Sequence, residues 1–175
     1  MKKKRILFLA ETIDKDLSSA AKANLGLIET LVSQNFEVRV FHYSHTEVLI
    51  PNVKVTLVRE KKTDINYFLS RGQRVLQRIT GKNFSKALEN KFGFSFTFKN
   101  DAFSMAQAIK KECKTSDLII TRGKGASFRT HAALLQLPDF YNKWLAYVHD
   151  PYPFHLYPPP YNWTEAGHQQ KEAFF

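Results

Sequence analysis

The chain has 175 residues, enough for one domain with a sizeable core, and its 43% hydrophobic and 14% aromatic content exclude a disordered protein. A formal net charge of +10 favours anionic partners without choosing among phosphate-bearing ligands, an anionic membrane surface and nucleic acid. The single cysteine, Cys113, excludes an internal disulfide framework, and no apolar run approaches the length of a membrane span.

The first forty-odd residues organise the rest. After the basic run Lys2–Arg5 comes the apolar stretch Ile6–Ala10, which reads as a strand covered on both faces. It imitates the start of a signal peptide, but the apolar run ends at Ala10 and Glu11 follows, so the chain reads as a cytoplasmic protein of a reducing compartment. The polar loop Glu11–Leu17 leads to a helix from Ser18 or Ser19 to about Gln34, with Leu25, Ile28, Leu31 and Val32 on one stripe. Val38–Tyr43 closes a strand–loop–helix–strand unit, the βαβ element of a parallel sheet. Ligands bind beyond the carboxyl ends of such strands, which makes the Glu11–Leu17 loop the first place to look. It has no G-x-G-x-x-G, which argues against an NAD or FAD site.

Val53–Arg59 alternates as a short edge strand. Asp64 caps a helix carrying Ile65, Phe68, Leu69, Leu76 and Ile79, weakened at Gly72 and ended or kinked at Thr80-Gly81. Phe84, Leu88 and Phe92 mark a second short helix, and the alternating aromatics of Gly93–Phe98 read as a strand or as an aromatic loop. Segment 64–98 is basic, aromatic and amphipathic, with Arg71, Arg74, Arg78, Lys82, Lys86 and Lys91. Its charges read first as a solvated face, with acceptor or membrane contact as the functional alternative. No recognised nucleic-acid module accompanies them, so nucleic acid is not the expected partner.

Asn100 or Asp101 is expected to cap a helix with Phe103, Ala106, Ile109 and Cys113 on one stripe, which makes Cys113 a core or boundary residue. Asp117–Thr121 is a fourth strand, and it runs into Arg122-Gly123-Lys124-Gly125-Ala126-Ser127. Two glycines and two basic residues past a strand form either a plain turn or a phosphate-binding one, without the full Walker A pattern. Ser127 is expected to cap a helix to about Gln136, stopped by Pro138. Lys143–Val148 is a fifth strand that delivers His149 and Asp150 to the ligand edge, where they act as a structural pair or as ligand contacts. Five prolines within residues 151–160, interleaved with aromatics such as Tyr152, make a stiff loop. His149, Asp150 and His155 match no defined metal motif, so no metal site is expected. Thr164 is expected to cap a last helix, Glu165–Phe175, and the apolar end Phe174-Phe175 reads as a break inside a helix.

Strand order and the last loop together resemble the N-terminal, acceptor-side domain of retaining, two-domain glycosyltransferases of the GT-B architecture, the glycosyltransferase group 1 family. The resemblance is strongest over Lys4–Tyr43 and Asp117–Trp163. It implies an α/β, Rossmann-like parallel sheet sandwiched by helices. Residues 1–163 would form the acceptor-side domain, and 164–175 would start a helix leading to a second, nucleotide-sugar-binding domain. It further implies sugar transfer from a nucleotide sugar to a glycan or lipid-linked acceptor, as in polysaccharide biosynthesis. No metal or other cofactor is implied, and peripheral contact with an anionic membrane stays open. The fragment alone would be inactive.

By the same resemblance, "KWLAYVHD" delivers His149, with Asp150 beside it, to the donor sugar. Asp14, Lys15, Leu17, Ser18 and Ser19 match the donor-phosphate loop, though they lack the glycine pair common in the family. Arg122, Gly123, Lys124, Gly125, Arg71, Arg74 and Tyr152 are the acceptor-side candidates. The competing expectation is a stand-alone anion-binding or interaction module that uses the Arg122–Ser127 turn.

Overall fold

Five strands pair into one sheet, and every pairing is parallel. The protein is seen here as a computed structural model that describes residues 3–43, 46–124, 127–149, 156–160 and 166–172. The strands are β1 (Arg5–Ala10), β2 (Glu37–His42), β3 (Lys54–Leu57), β4 (Leu118–Arg122) and β5 (Trp144–Tyr147), in the order β3-β2-β1-β4-β5. The helices are α1 (Ser19–Ser33), α2 (Ile65–Thr80), α3 (Ser85–Phe92), α4 (Phe96–Thr115), α5 (Arg129–Leu135) and α6 (His168–Glu172), with a 3₁₀ helix at Pro138–Lys143. This is the α/β, Rossmann-like parallel sheet flanked by helices that the sequence implies.

The chain divides into two compact units, residues 1–59 with 102–149 and residues 60–101 with 150–175. The first holds the sheet. Central strand β1 alternates between two cores, as a period of two residues requires. Leu7 and Leu9 pack with Met105, Ala106, Ile109 and Cys113 of α4 and with Ala133 and Leu134 of α5. Ile6, Phe8 and Ala10 pack on the other face with Ile28 of α1 and Val38 and Val40 of β2. Burial pushes the Cys113 thiol up to about 11, so it stays protonated and packs as a small hydrophobe. Ser18 caps α1, its Oγ accepting from the Ala21 N–H at 3.2 Å.

In the second unit Asp64 caps α2, and Gly81 ends it in the left-handed conformation at φ 67°. Residues 93–98 correct the strand-or-loop expectation. Phe94 and Phe98, four apart, stack with centroids 4.1 Å apart, and Ser95 Oγ accepts from the Phe98 N–H at 3.2 Å. That serine opens the helix five or six residues early, so Asn100 and Asp101 lie inside α4 instead of capping it. The short α6 packs on α3 through glycine: a Cβ on Gly167 would lie 2.1 Å from the Glu89 carbonyl oxygen.

Ser127 does not cap α5 either. Phe128 holds the N-cap position without a side-chain hydrogen bond, and Ser127 Oγ instead accepts from Arg129 Nη1 at 2.7 Å. The last helix spans only His168–Glu172 among the described residues, and Thr164, Glu165, Phe174 and Phe175 lie outside them.

Candidate functional site

The strand order reverses between β1 and β4, and in open parallel sheets that reversal opens a crevice at the carboxyl ends. Ala10 and Arg122, the last residues of the two strands, pair across it. Glu11 follows at once, and its N–H donates to the Arg122 carbonyl at 3.3 Å. The Glu11 carboxylate is buried, yet it accepts from the Arg129 N–H at 3.0 Å and from Arg129 Nη1 at 3.1 Å. Burial pushes its pKa above the usual carboxylate value, and the Arg129 guanidinium pulls it part of the way back. Thr130 Oγ1 donates to the same Arg122 carbonyl at 3.1 Å. These bonds fasten the turn after β4 onto the end of β1. Gly123 sits where only glycine fits, because a Cβ there would lie 2.3 Å from the Ser127 carbonyl oxygen.

Arg122 is the unusual member. It is 4% exposed and has no carboxylate within ion-pair distance among the described residues. Its guanidinium lies 4.1 Å from the Tyr147 ring centroid, and Nη2 is 3.1 Å from His149 Nε2. Arginine only donates, so His149 Nε2 is the acceptor and that ring is neutral in this arrangement. Burial lowers the Arg122 pKa below the ordinary guanidinium value, and Nε has no hydrogen-bond partner among the described residues. A buried cation without a counter-ion is costly, and an oxyanion is the ligand that relieves it.

A second imidazole stands nearby. Thr121 Oγ1 accepts from Trp144 Nε1 at 2.8 Å and lies 2.6 Å from His131 Nδ1. The indole N–H can only donate, but the hydroxyl oxygen keeps a second lone pair, so His131 Nδ1 either accepts the threonine proton or donates its own. His131 is 4% exposed, and its Nε2 has no hydrogen-bond partner among the described residues. That nitrogen lies 3.7 Å from the position a Gly123 Cβ would occupy. Burial lowers the His131 pKa to about 4, so the ring is neutral at physiological pH. Among the described residues the edge thus combines one buried guanidinium, one neutral imidazole and a turn that admits close approach, a set whose chemistry suits negative oxygen atoms.

No known family model matches this chain, and a comparison with curated proteins finds no match either. The chemistry of the edge therefore rests on its own atoms.

The structure brings His149, Arg122 and Gly123 of the expected site together at this edge, with exposed Lys124 in the same turn. Asp150, Tyr152 and Gly125 lie outside the described residues. Asp14, Lys15, Leu17, Ser18 and Ser19 follow Glu11, and the side chains of Asp14 and Ser18 are taken up by local partners. Asp14 accepts from the Asp16 N–H at 3.2 Å and from Thr46 Oγ1 at 2.9 Å, while Ser18 caps α1. A cavity of about 230 Å³ beside this loop is lined by Asp14, Lys15, Asp16 and Glu29. Three carboxylates against one ammonium do not favour a phosphate there. Arg71 and Arg74 belong to the second unit. Arg71 pairs with Glu60 at 2.7 Å, and Arg74 Nη2 donates to Thr97 Oγ1 at 3.3 Å.

Glu11, Thr121, His131 and Tyr147 are members the sequence reading does not single out. One signal was available for His131: a lone imidazole in the otherwise apolar helical run Ala132–Leu135, a few residues after a glycine turn.

Proposed function

We propose that this chain is the acceptor-side domain of a retaining glycosyltransferase that moves a sugar from a nucleotide-sugar donor to a glycan or lipid-linked acceptor. The observation that carries the reading is the buried Arg122, with no carboxylate partner among the described residues, joined to His149 at the crossover edge. In such a transfer the bond between the sugar's anomeric carbon and the diphosphate oxygen breaks, and a bond to the acceptor hydroxyl oxygen forms. The leaving diphosphate gathers negative charge while the acceptor gives up its proton. Fixed donors aimed at that charge lower the barrier. Arg122 supplies a cation already stripped of water, and His149 supplies a neutral ring at the end of β5. The second reading is a stand-alone module that binds phosphate without chemistry, which the same guanidinium favours.

Calorimetry with inorganic pyrophosphate and with uridine, adenosine and guanosine diphosphate sugars separates the two. Sugar transfer requires that one nucleotide sugar bind, and that Arg122→Met weaken it by about a hundredfold, the scale of a lost charge-assisted contact. It also requires turnover by the protein encoded by the complete reading frame, reduced in His149→Ala. Pyrophosphate binding without turnover leaves the anion module. Binding of neither overturns both.

A further inference from the structure

Helix α2 is inside out. Its residues Ile65, Phe68, Leu69, Val75, Leu76 and Ile79 are spaced three, four or seven apart along one face, and they are 42–77% exposed. Gly72 lies on the same face, and a Cβ there would meet nothing within 4 Å, so the open stripe is unbroken. The opposite face is polar and turned inward. Ser70 is buried, and Gln73 and Gln77 donate to Ser85 Oγ at 3.0 and 3.1 Å. An ordinary surface helix does the reverse, hiding its apolar stripe and wetting its polar one.

The charges beside the stripe have one sign. α2 contains no acidic residue, Arg71 and Arg78 line one flank of the apolar face, and Arg74 stands behind them on the polar side. Arg71 is partly neutralised by Glu60, Arg74 donates to the Thr97 hydroxyl, and Arg78 is exposed. A sixteen-residue helix is about 24 Å long, so the stripe and its arginine margin form a straight, convex strip. Its apolar side fits the acyl boundary of a bilayer, and its margin fits lipid phosphates.

We infer that α2 lies flat on an anionic membrane surface, with Phe68 and Ile79 entering the headgroup–acyl boundary and Arg71 and Arg78 at the level of the lipid phosphates. Charge complementarity selects this occupant: a cationic margin without a single carboxylate on the helix, on a chain of net charge +10, is matched by a surface of lipid phosphates. The inference goes beyond sugar transfer and does not depend on it, since lipid binding is read without any nucleotide sugar.

Co-sedimentation of the full chain with phosphatidylcholine vesicles, and with vesicles holding roughly 30% phosphatidylglycerol, tests it. The parent chain is expected to prefer the anionic vesicles by at least about tenfold and to lose that preference at about 0.5 M salt. Phe68→Ser with Ile79→Ser removes the apolar anchor and should weaken binding by at least about tenfold. Arg71→Gln with Arg78→Gln should weaken it by about fivefold per arginine, and this pair serves as the second variant if the serine pair melts early. Equal binding to both vesicle types, or binding untouched by either pair of substitutions, overturns the inference. So does concentration-dependent self-association that the serine pair abolishes, which would assign the stripe to a second copy. Nucleotide-sugar binding unchanged in both variants keeps this result separate from the sugar-transfer reading.

Discussion

The crossover edge of the sheet and the outer face of α2 break the ordinary rule of folding in opposite directions. At the edge a guanidinium lies inside with no carboxylate against it among the described residues, while on α2 six large apolar side chains lie outside. Each arrangement costs free energy in the isolated chain, and each is relieved by a different kind of partner. A buried cation is satisfied by an anion of defined shape, which is a ligand. An exposed apolar stripe is satisfied by area, which is a surface. Under the two proposals the edge would recognise a small charged molecule and the helix would attach to a surface.

The largest expected effect separates a paired buried charge from an unpaired one. Glu11→Ala leaves Arg129 without its counter-ion and should cost about 3 kcal/mol in urea unfolding. Glu11→Gln should be nearly neutral at pH 7, because the amide keeps an acceptor for Arg129. The raised carboxylate pKa means that this group stabilises the fold below 4.5 and loses that contribution as pH rises through its folded value. If the two variants fall together, burial and not pairing governs the edge.

Acid titration sharpens the same point. An unfolded histidine takes its proton below 6.5, whereas His131 in the fold does so only near 4. The unfolded state therefore binds more protons in that window, and stability should fall as pH drops through it, by on the order of 3 kcal/mol for this ring. His131→Gln should flatten the slope between those values, and an unchanged slope would place the titration elsewhere, His42 being the other buried ring held near 4.

Smaller effects follow. Gly123→Ala forces a Cβ against the Ser127 carbonyl and should cost about 2 kcal/mol, together with weaker pyrophosphate binding. Arg122→Met should act with the opposite sign, raising stability by about 1 kcal/mol while weakening that binding by about a hundredfold. A drop in stability instead would mean that the contacts with Tyr147 and His149 already compensate the charge. On α2, Phe68→Ser and Ile79→Ser should each change stability by less than about 0.5 kcal/mol, since neither side chain is buried.

Much of the first unit is legible in the residues. Ile6–Ala10 is apolar at every position because the strand is covered on both faces, and Ser18, Asp64 and Gly81 punctuate helices by their own chemistry. The aromatics at 94, 96 and 98 mislead because every-second spacing is also what a strand shows, while the Ser95 cap that decides for a helix is a single hydroxyl. Within the site, Arg122 and His149 are legible as basic groups at strand ends. Glu11 and His131 are not, because their meaning comes from partners 118 and 10 positions away. Nor does the sequence show which face of α2 turns outward, since periodicity reports that a stripe exists and not which way it looks.

The contact between Gly93 and Gly167 carries a consequence for anyone trimming this protein. The unit that carries α2 is assembled from two separate stretches of chain, and α6 reaches α3 only where both residues lack a side chain. Cutting after position 149 to tidy an apparent tail would remove the whole later stretch. The surviving piece would keep its sheet but should expose the bare backbone of α3, a foothold for proteases and for clumping.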